Sequence, residues 1–303
     1  MKSLVTGGAG FIGSNLVEKL IKLGHKVVVL DDLSTGRLSN LKNVKNKIEF
    51  YKIDISKKNN LINKYFKKVD WVFHLAGLAD IVPSIENPKK YFDSNVMGTL
   101  NILEASKKAK VKKFIYAASA SCYGIPKKYP TNENSKIDPR YPYAATKNIG
   151  EQLVLHWSKV YKMSNISLRF FNAYGPKSRT TGAYGAVFGV FLAQKLANKP
   201  LTIVGSGEQT RDFIHVYDLI GAIILAAKKG KPGEVYNVGS GKETSVNLIA
   251  KIIAGKKIRV PKRPGEPDRS KADITKIKKQ FNWKPKISIS EGVKMLLKNI
   301  TPL

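Results

Sequence analysis

Tyr143 and Lys147, in the run Tyr143-Ala144-Ala145-Thr146-Lys147, are the residues whose types and spacing most directly suggest chemistry. Four residues apart on a helix, two side chains share one face, so a phenol and an ammonium would point into one site. A tyrosine ordinarily gives up its proton near pH ~10, and a neighbouring cation favours the phenolate and draws that value down. Such a tyrosine can take a proton from an alcohol while a hydride acceptor takes hydrogen from the same carbon. Tyr-x-x-x-Lys by itself arises often by chance. Its weight here depends on a second hydroxyl and a place for the hydride acceptor.

The hydroxyl is Ser119, in Ala117-Ala118-Ser119-Ala120-Ser121-Cys122-Tyr123-Gly124, directly after an apolar strand-like run. The acceptor's place is Gly7-Gly8-Ala9-Gly10-Phe11-Ile12-Gly13, which follows the short apolar run Leu4-Val5-Thr6. A helical pattern (Phe11, Ile12, Leu16, Val17, Leu20, Ile21) and a second strand, Lys26 to Leu30, complete a β-α-β unit. Glycines at 7, 10 and 13 permit a tight turn and let backbone amides approach a pyrophosphate at the helix N-terminus. Asp31 and Asp32 stand eighteen and nineteen residues beyond Gly13, where an acid binds the adenine ribose. Acids there would repel a 2′-phosphate, which favours NAD, while Arg37 leaves NADP open.

These groups need a scaffold that brings distant segments to one edge. Strand-like runs recur at Glu49–Ile53, Asp70–Leu75, Lys113–Ala118 and Ile166–Phe171, with helical patterns at Lys57–Phe66, Pro88–Ala109 and Ala144–Tyr161. Alternating strand and helix predicts an α/β fold, a Rossmann-type doubly wound parallel sheet. The pattern changes after Gly175-Pro176. A loop at Arg179–Tyr184, helices at Val187–Ala197, Val216–Lys228 and Val246–Ala254, and strands at Leu201–Val204 and Glu234–Val238 predict a smaller C-terminal α/β lobe. We therefore divide the chain into a cofactor domain, 1–174, and a substrate-binding lobe, 175–303, with 206–240 packing back on the first.

Composition sets the bounds. The 303 residues can bury a large core. No apolar run approaches the roughly eighteen residues of a membrane span, and a strand starting almost at Met1 leaves no room for a signal peptide. Cys122 is the only cysteine, so no internal disulfide forms and a reducing, cytoplasmic setting is expected. The net charge of +31 raises the question of nucleic acid. Only eight of the 53 basic residues are arginine, and the lysines fall in scattered pairs such as Lys57-Lys58 and Lys278-Lys279. That pattern is a diffuse solvated surface, with neither a specific nucleic-acid nor a membrane partner expected.

Further residues fit a nucleotide site at the carboxyl edge of the sheet. Asp54-Ile55, after the third strand, suit an adenine edge. Leu75-Ala76-Gly77, after the fourth, bring small residues near the pyrophosphate. His74 before them is expected to be a satisfied structural group. Asn95, on the helix crossing this edge, is placed with the cofactor residues as a brace for the active-site backbone. Arg211 and Arg263 suit a diphosphate, because a guanidinium binds phosphate with two parallel hydrogen bonds. Ion pairs with Asp212 and Glu266 are the alternative for them.

With these motifs the chain resembles the extended short-chain dehydrogenase/reductase superfamily, and within it the UDP-galactose (UDP-hexose) 4-epimerases, over nearly all its length. The resemblance rests on Gly7 to Gly13, Asp31, Asp54-Ile55, His74 to Gly77, Ser119 to Gly124, Tyr143 to Lys147, Arg169-Phe170-Phe171-Asn172, Thr210-Arg211-Asp212 and Arg263 to Asp273. It implies a two-lobed enzyme with tightly bound NAD and a UDP-sugar between the lobes. Tyr143 would take the 4-hydroxyl proton, Lys147 would bind the nicotinamide ribose and keep Tyr143 acidic, and Ser119 would orient the hydroxyl. Asn172, Arg211 and Arg263 would contact the substrate's phosphate or sugar, and Glu266 the uridine ribose. It also implies a homodimer, through a four-helix interface.

Departures from the pattern separate siblings. Dehydratases of this superfamily carry an Asp-Glu pair after the catalytic hydroxyl and UDP-glucuronate decarboxylases a Glu, where this chain has Ala120-Ser121-Cys122. This favours epimerisation without elimination. Ala79 replaces a lysine, and Ser270 a bulky tyrosine, of some hexose-only epimerases, which opens the site to UDP-N-acetylglucosamine or -galactosamine. Arg179 or Arg269 leaves a uronate open. A dehydratase or decarboxylase, and a non-catalytic nucleic-acid-binding relative, are the rival expectations.

Overall fold

The structure, a computed structural model, describes residues 1–57, 60–178, 187–261 and 267–298. β1 (Lys2–Thr6), α1 (Phe11–Lys22) and β2 (Lys26–Asp31) form the first β-α-β unit. β3 (Ile48–Lys52), β4 (Trp71–His74), α2 (Ile81–Glu86), α3 (Pro88–Tyr91), α4 (Gly98–Lys108), β5 (Lys113–Ser119), α5 (Pro142–Tyr161) and β6 (Asn165–Phe170) follow. β7 (Asn172–Tyr174), α6 (Val187–Leu196), β8 (Leu201–Val204), β9 (Thr210–His215), α7 (Val216–Lys229), β10 (Val235–Val238), β11 (Glu243–Ser245), α8 (Val246–Ile253), β12 (Lys257–Val260), α9 (Thr275–Phe281) and α10 (Ile289–Lys298) complete the order.

Seven strands make the main sheet in the order β10-β6-β5-β4-β1-β2-β3, every pairing parallel. Strands covered on both faces read as continuous apolar runs, and successive side chains leave on opposite sides. Val5, Val27, Val29, Phe73 and Ile115 accordingly enter one core with α1, α7 and α9, while Leu4, Val28, Leu30, Val72 and Phe114 enter another with α4 and α5. The strand order reverses between β1 and β4, and ligands of open α/β sheets bind at that switch point. Both Gly7–Gly13 and Leu75–Gly77 emerge there. A third core of Phe188, Leu192, Ile203, Phe213, Ile249 and Val293 holds α6, α8 and α10 against β8 and β9.

Three local features depart from expectation. The helix expected over Pro88–Ala109 is α3 and α4 joined by a π-helical stretch, Phe92–Met97, that carries Asn95. The helix expected over Lys57–Phe66 is a 3₁₀ segment, Asn60–Phe66. Strands β7, β9, β11 and β12 lie outside the expected ones, because β9 carries Thr-Arg-Asp before its apolar residues with no alternation and the others are three or four residues long.

Candidate active site

The two loops of the switch point touch each other, and glycine makes that possible. Gly7 has φ +67°, and a Cβ there would come within 2.7 Å of the Ala76 amide. A Cβ on Gly13 would overlap the Gly7 carbonyl. α1 starts at Gly10 with no side-chain cap, so its first amides face the cleft. Gly13→Ala should therefore weaken dinucleotide binding at least about tenfold, read by cofactor titration. Unchanged affinity would show that the turn has another purpose.

Asp31 ends β2 and is buried, its two oxygens accepting the amides of Ala9 and Leu33 at 2.8 Å each. Burial raises its pKa, and those amides oppose the shift. Asp32 is exposed and accepts the Ser34 amide and hydroxyl at 2.9 and 2.7 Å. Asp54 does the same for Ser56. Beneath the second loop, Thr6 and Thr99 hold the His74 ring at 2.7 and 3.0 Å. The Thr99 hydroxyl donates to the Asn95 carbonyl, so Nε2 of His74 carries the ring proton and Nδ1 accepts from Thr6. Burial lowers the His74 pKa to about 3, with Lys147 adding to the shift. It is a neutral structural group.

On the opposite wall, Ser119 ends β5 and its Oγ accepts both the amide and the hydroxyl of Ser121, at 3.2 and 2.8 Å. The proton of Ser119 is thereby left to donate outward. The Ser119 and Ser121 hydroxyls both act on the Tyr143 phenol, favouring its charged form. Lys147 lies one turn further along α5, its ammonium 4.6 Å from the Tyr116 ring centroid. Gly7, Gly10 to Gly13, Asp31, Asp32, Asp54, Ile55, Leu75 to Gly77, Ser119, Tyr143, Lys147, Asn172, Arg211 and Ser270 all line one cleft of about 700 Å³. Arg263 and Glu266 lie outside the described residues, as do Arg179 and its loop.

The profile of the NAD dependent epimerase/dehydratase family matches residues 3–239. This chain belongs to that family. It is 36% identical to a UDP-glucose 4-epimerase of Mycolicibacterium smegmatis over 97% of this chain and 96% of the relative. It is similar to the crystal structure of a Thermotoga maritima UDP-glucose 4-epimerase with UDP-glucose, at 35% identity and a TM-score of 0.93 over 98% of each chain. A UDP-N-acetylglucosamine 4-epimerase of Methanobrevibacter ruminantium, in complex with UDP-N-acetylmuramic acid, superposes at 0.91 and 32% identity over 99% of each chain. NAD fits the residues present: the glycine turn leaves a cradle that a Cβ would fill, and a buried acid ends β2.

Within this family member, two expectations are corrected. Asn95 does not line the cleft. It is fully buried, accepts the Leu78 amide at 2.8 Å and donates to the Leu78 carbonyl and to Thr146 at 3.0 Å each. It braces the loop at Leu78, as expected of it, from within the π-helical stretch, although it is not among the cleft-lining residues. The Tyr143 phenol, expected to be acidified by Lys147, instead has its pKa raised: burial dominates, and the Ser119 and Ser121 hydroxyls pull it down. Burial also lowers Lys147 to about 8, with Glu151 opposing. Desolvation disfavours either charge, and it outweighs the pairing that helical spacing suggested.

The Arg211–Asp212 ion pair is not made. Asp212 is buried and accepts the amides of Ser240, Gly241 and Ala272 and the Ser240 hydroxyl, while Arg211 reaches the cleft. Ser121 and Asp80 are the site residues that motif reasoning passed over. Ser121 was visible as a second hydroxyl two residues after Ser119. Asp80 lines the cleft and bears electrostatically on Tyr143, but it stands at the start of α2, far in sequence from the turn after Ser119. Ser119→Ala removes a donor to the phenolate. It should cut kcat by about 10–100-fold and move the acidic limb of the kcat–pH profile to higher pH; an unmoved limb would remove Ser119 from this role.

Proposed function

We propose that this chain inverts C4 of a UDP-sugar through a transient 4-keto sugar. The observation that carries this is the Ser121–Ser119 hydroxyl pair and the Tyr143 phenol in one cleft with the glycine turn, with no acid in the turn after Ser119. Bound NAD would supply a hydride acceptor and donor, held by Gly7 to Gly13, Asp31, Asp54-Ile55, Leu75 to Gly77 and Lys147. Tyr143 takes the 4-hydroxyl proton and returns it to the opposite epimer. Ser119 orients the 4-hydroxyl toward Tyr143, and Asn172 and Arg211 hold the diphosphate side. In this division of labour 1–174 binds the dinucleotide and 175–303 the sugar nucleotide, although α7 and β10 belong to the first lobe's core and sheet.

Among substrates, N-acetylhexosamine is supported by Ser270, whose small side chain lines the cleft. A uronate is less well served. Arg269 is spent on Glu243, with contacts of 2.9 and 2.7 Å, and Asp80 adds negative charge near Tyr143. Incubation of the NAD-loaded protein with UDP-glucose, UDP-N-acetylglucosamine and UDP-glucuronate, with separation of products, tests all of this. The 4-epimer of at least one of the first two is expected. Return of every sugar unchanged would refute epimerisation, and a 4-keto-6-deoxy product or released carbon dioxide would substitute elimination or decarboxylation.

A homodimer belongs to the same proposal. The helices flanking the main sheet expose Phe92 and Met97 before α4, and Val160 and Tyr161 at the end of α5. The two pairs stand at opposite ends of the α4–α5 face, with Tyr161 beside Lys107 at the end of α4, and exposed apolar groups spread along one face mark an association surface. Met97→Glu should convert a dimer to a monomer in sedimentation velocity. No helix among the described residues is long and apolar enough to cross a membrane, and we place the protein in the cytoplasm, its lysine-rich surface drawing anionic nucleotides rather than a specific nucleic acid.

A further inference from the structure

Tyr116 lies fully buried on β5, three residues before Ser119, and it meets Lys147 twice. The Lys147 ammonium sits over its ring at 4.6 Å. Its hydroxyl donates to the Lys147 carbonyl at 3.3 Å. Any Cβ on Gly150 would overlap that hydroxyl, so α5 carries glycine where the phenol needs room. The neutral His74 ring also stacks on Tyr116, with centroids 5.8 Å apart and planes at 29°. The ammonium ends beside Gly77, where a Cβ would stand 3.8 Å from Nζ. A lysine has a flexible four-carbon stem and no geometry of its own. The negative face of a buried ring attracts a cation and does so more strongly away from water.

We propose that Tyr116 is a positioning residue for Lys147, its ring face holding the ammonium at the cofactor edge. This rests on the reading of Lys147 as the cation of an epimerase site. The charged or titratable groups facing Lys147 are Tyr143 and Glu151 on α5, His74 on β4 and Tyr116 on β5. Buried Cys122 and the cleft-lining Asp80 act on Tyr143, and Arg169 on β6 is paired with Glu151. His74 and the Cys122 thiol, which burial pushes up to about 12, carry no charge near neutrality. The ring is therefore the contact that can be weakened without altering any formal charge.

The test is Tyr116→Phe and its 4-fluoro, 3,5-difluoro and 3,4,5-trifluoro forms, introduced into the full chain. NAD affinity of the cofactor-stripped protein and kcat of the reloaded protein are followed against pH. Tyr116→Phe should stay within about threefold of the parent in both, since the ring face remains. Across the fluorinated series the alkaline limb of both profiles should move steadily to lower pH, by about one unit in all, as a weaker ring face lets Lys147 lose its proton sooner. A limb that does not move, in variants that still bind NAD and turn over, overturns the inference. Parent protein that neither binds NAD nor epimerises overturns the functional reading instead, and the two failures are distinct.

Discussion

Tyr143→Phe should lower kcat by about a thousandfold while changing NAD affinity and the KM for the UDP-sugar by less than about threefold. Only the phenolic oxygen is lost. The ring keeps its stacked neighbour Tyr141, at 6.3 Å between centroids, and Lys147 keeps its place over Tyr116. A proton-transferring group acts in the transition state, so its removal falls on kcat and on kcat/KM together. Steady-state kinetics beside cofactor titration decides the matter. A variant that retains a tenth or more of parental kcat would transfer the proton to another group, with Ser119 the first candidate. The raised pKa of Tyr143 gives this experiment a second use. Burial holds the phenol above its ordinary value, so the working enzyme must recover the phenolate from the Ser119 donor, polarised by Ser121, and from charge brought by the bound ligand.

The second large effect is on stability. Arg169 and Glu151 form a buried ion pair at 2.6 Å, with Arg169 also donating to the Tyr123 hydroxyl at 2.8 Å and the Glu133 carbonyl at 3.0 Å. Tyr123 in turn donates to Asn237 at 2.7 Å. The network joins α5, β6, the turn after Ser119 and β10. Arg169→Met leaves the Glu151 carboxylate buried without its partner, a loss of roughly 3–5 kcal/mol. With ~2–4 °C per kcal/mol for a chain of this size, Tm should fall by about 10 °C. Arg169→Met combined with Glu151→Gln removes the orphaned charge and should recover a large part of that loss. Thermal unfolding of the two variants checks it. Equal destabilisation would mean that packing around the guanidinium, and not the uncompensated carboxylate, sets the cost.

The residues that identify the chemistry were legible because their meaning is local. Gly7, Gly10 and Gly13 state a turn within seven residues, Asp31 follows at a spacing that a single β-α-β unit imposes, and Tyr143 and Lys147 share a helix face by the pitch of the helix alone. Apolar strand runs predicted the parallel sheet for the same reason. Resemblance to a known family then joined these pieces into a reaction. Less was legible where the backbone itself departs from regularity, as in the π-helical stretch from which Asn95 reaches Leu78 and Thr146.

The sequence by itself determined the cofactor turn, the Tyr143–Lys147 helix, the hydroxyl at Ser119 and the missing acids beside it. The tertiary structure alone decided how those groups are charged and held. Tyr143 is governed by burial and two serine hydroxyls, Lys147 rests on an aromatic ring from β5, His74 is a neutral strut, and Arg169 belongs to Glu151. The physical reason is distance along the chain. Spacing rules reach as far as one helix turn or one loop, whereas Tyr116 meets Lys147 across 31 residues and Tyr123 meets Asn237 across 114. Desolvation and pairing energies come from such neighbours, and only folding brings them together.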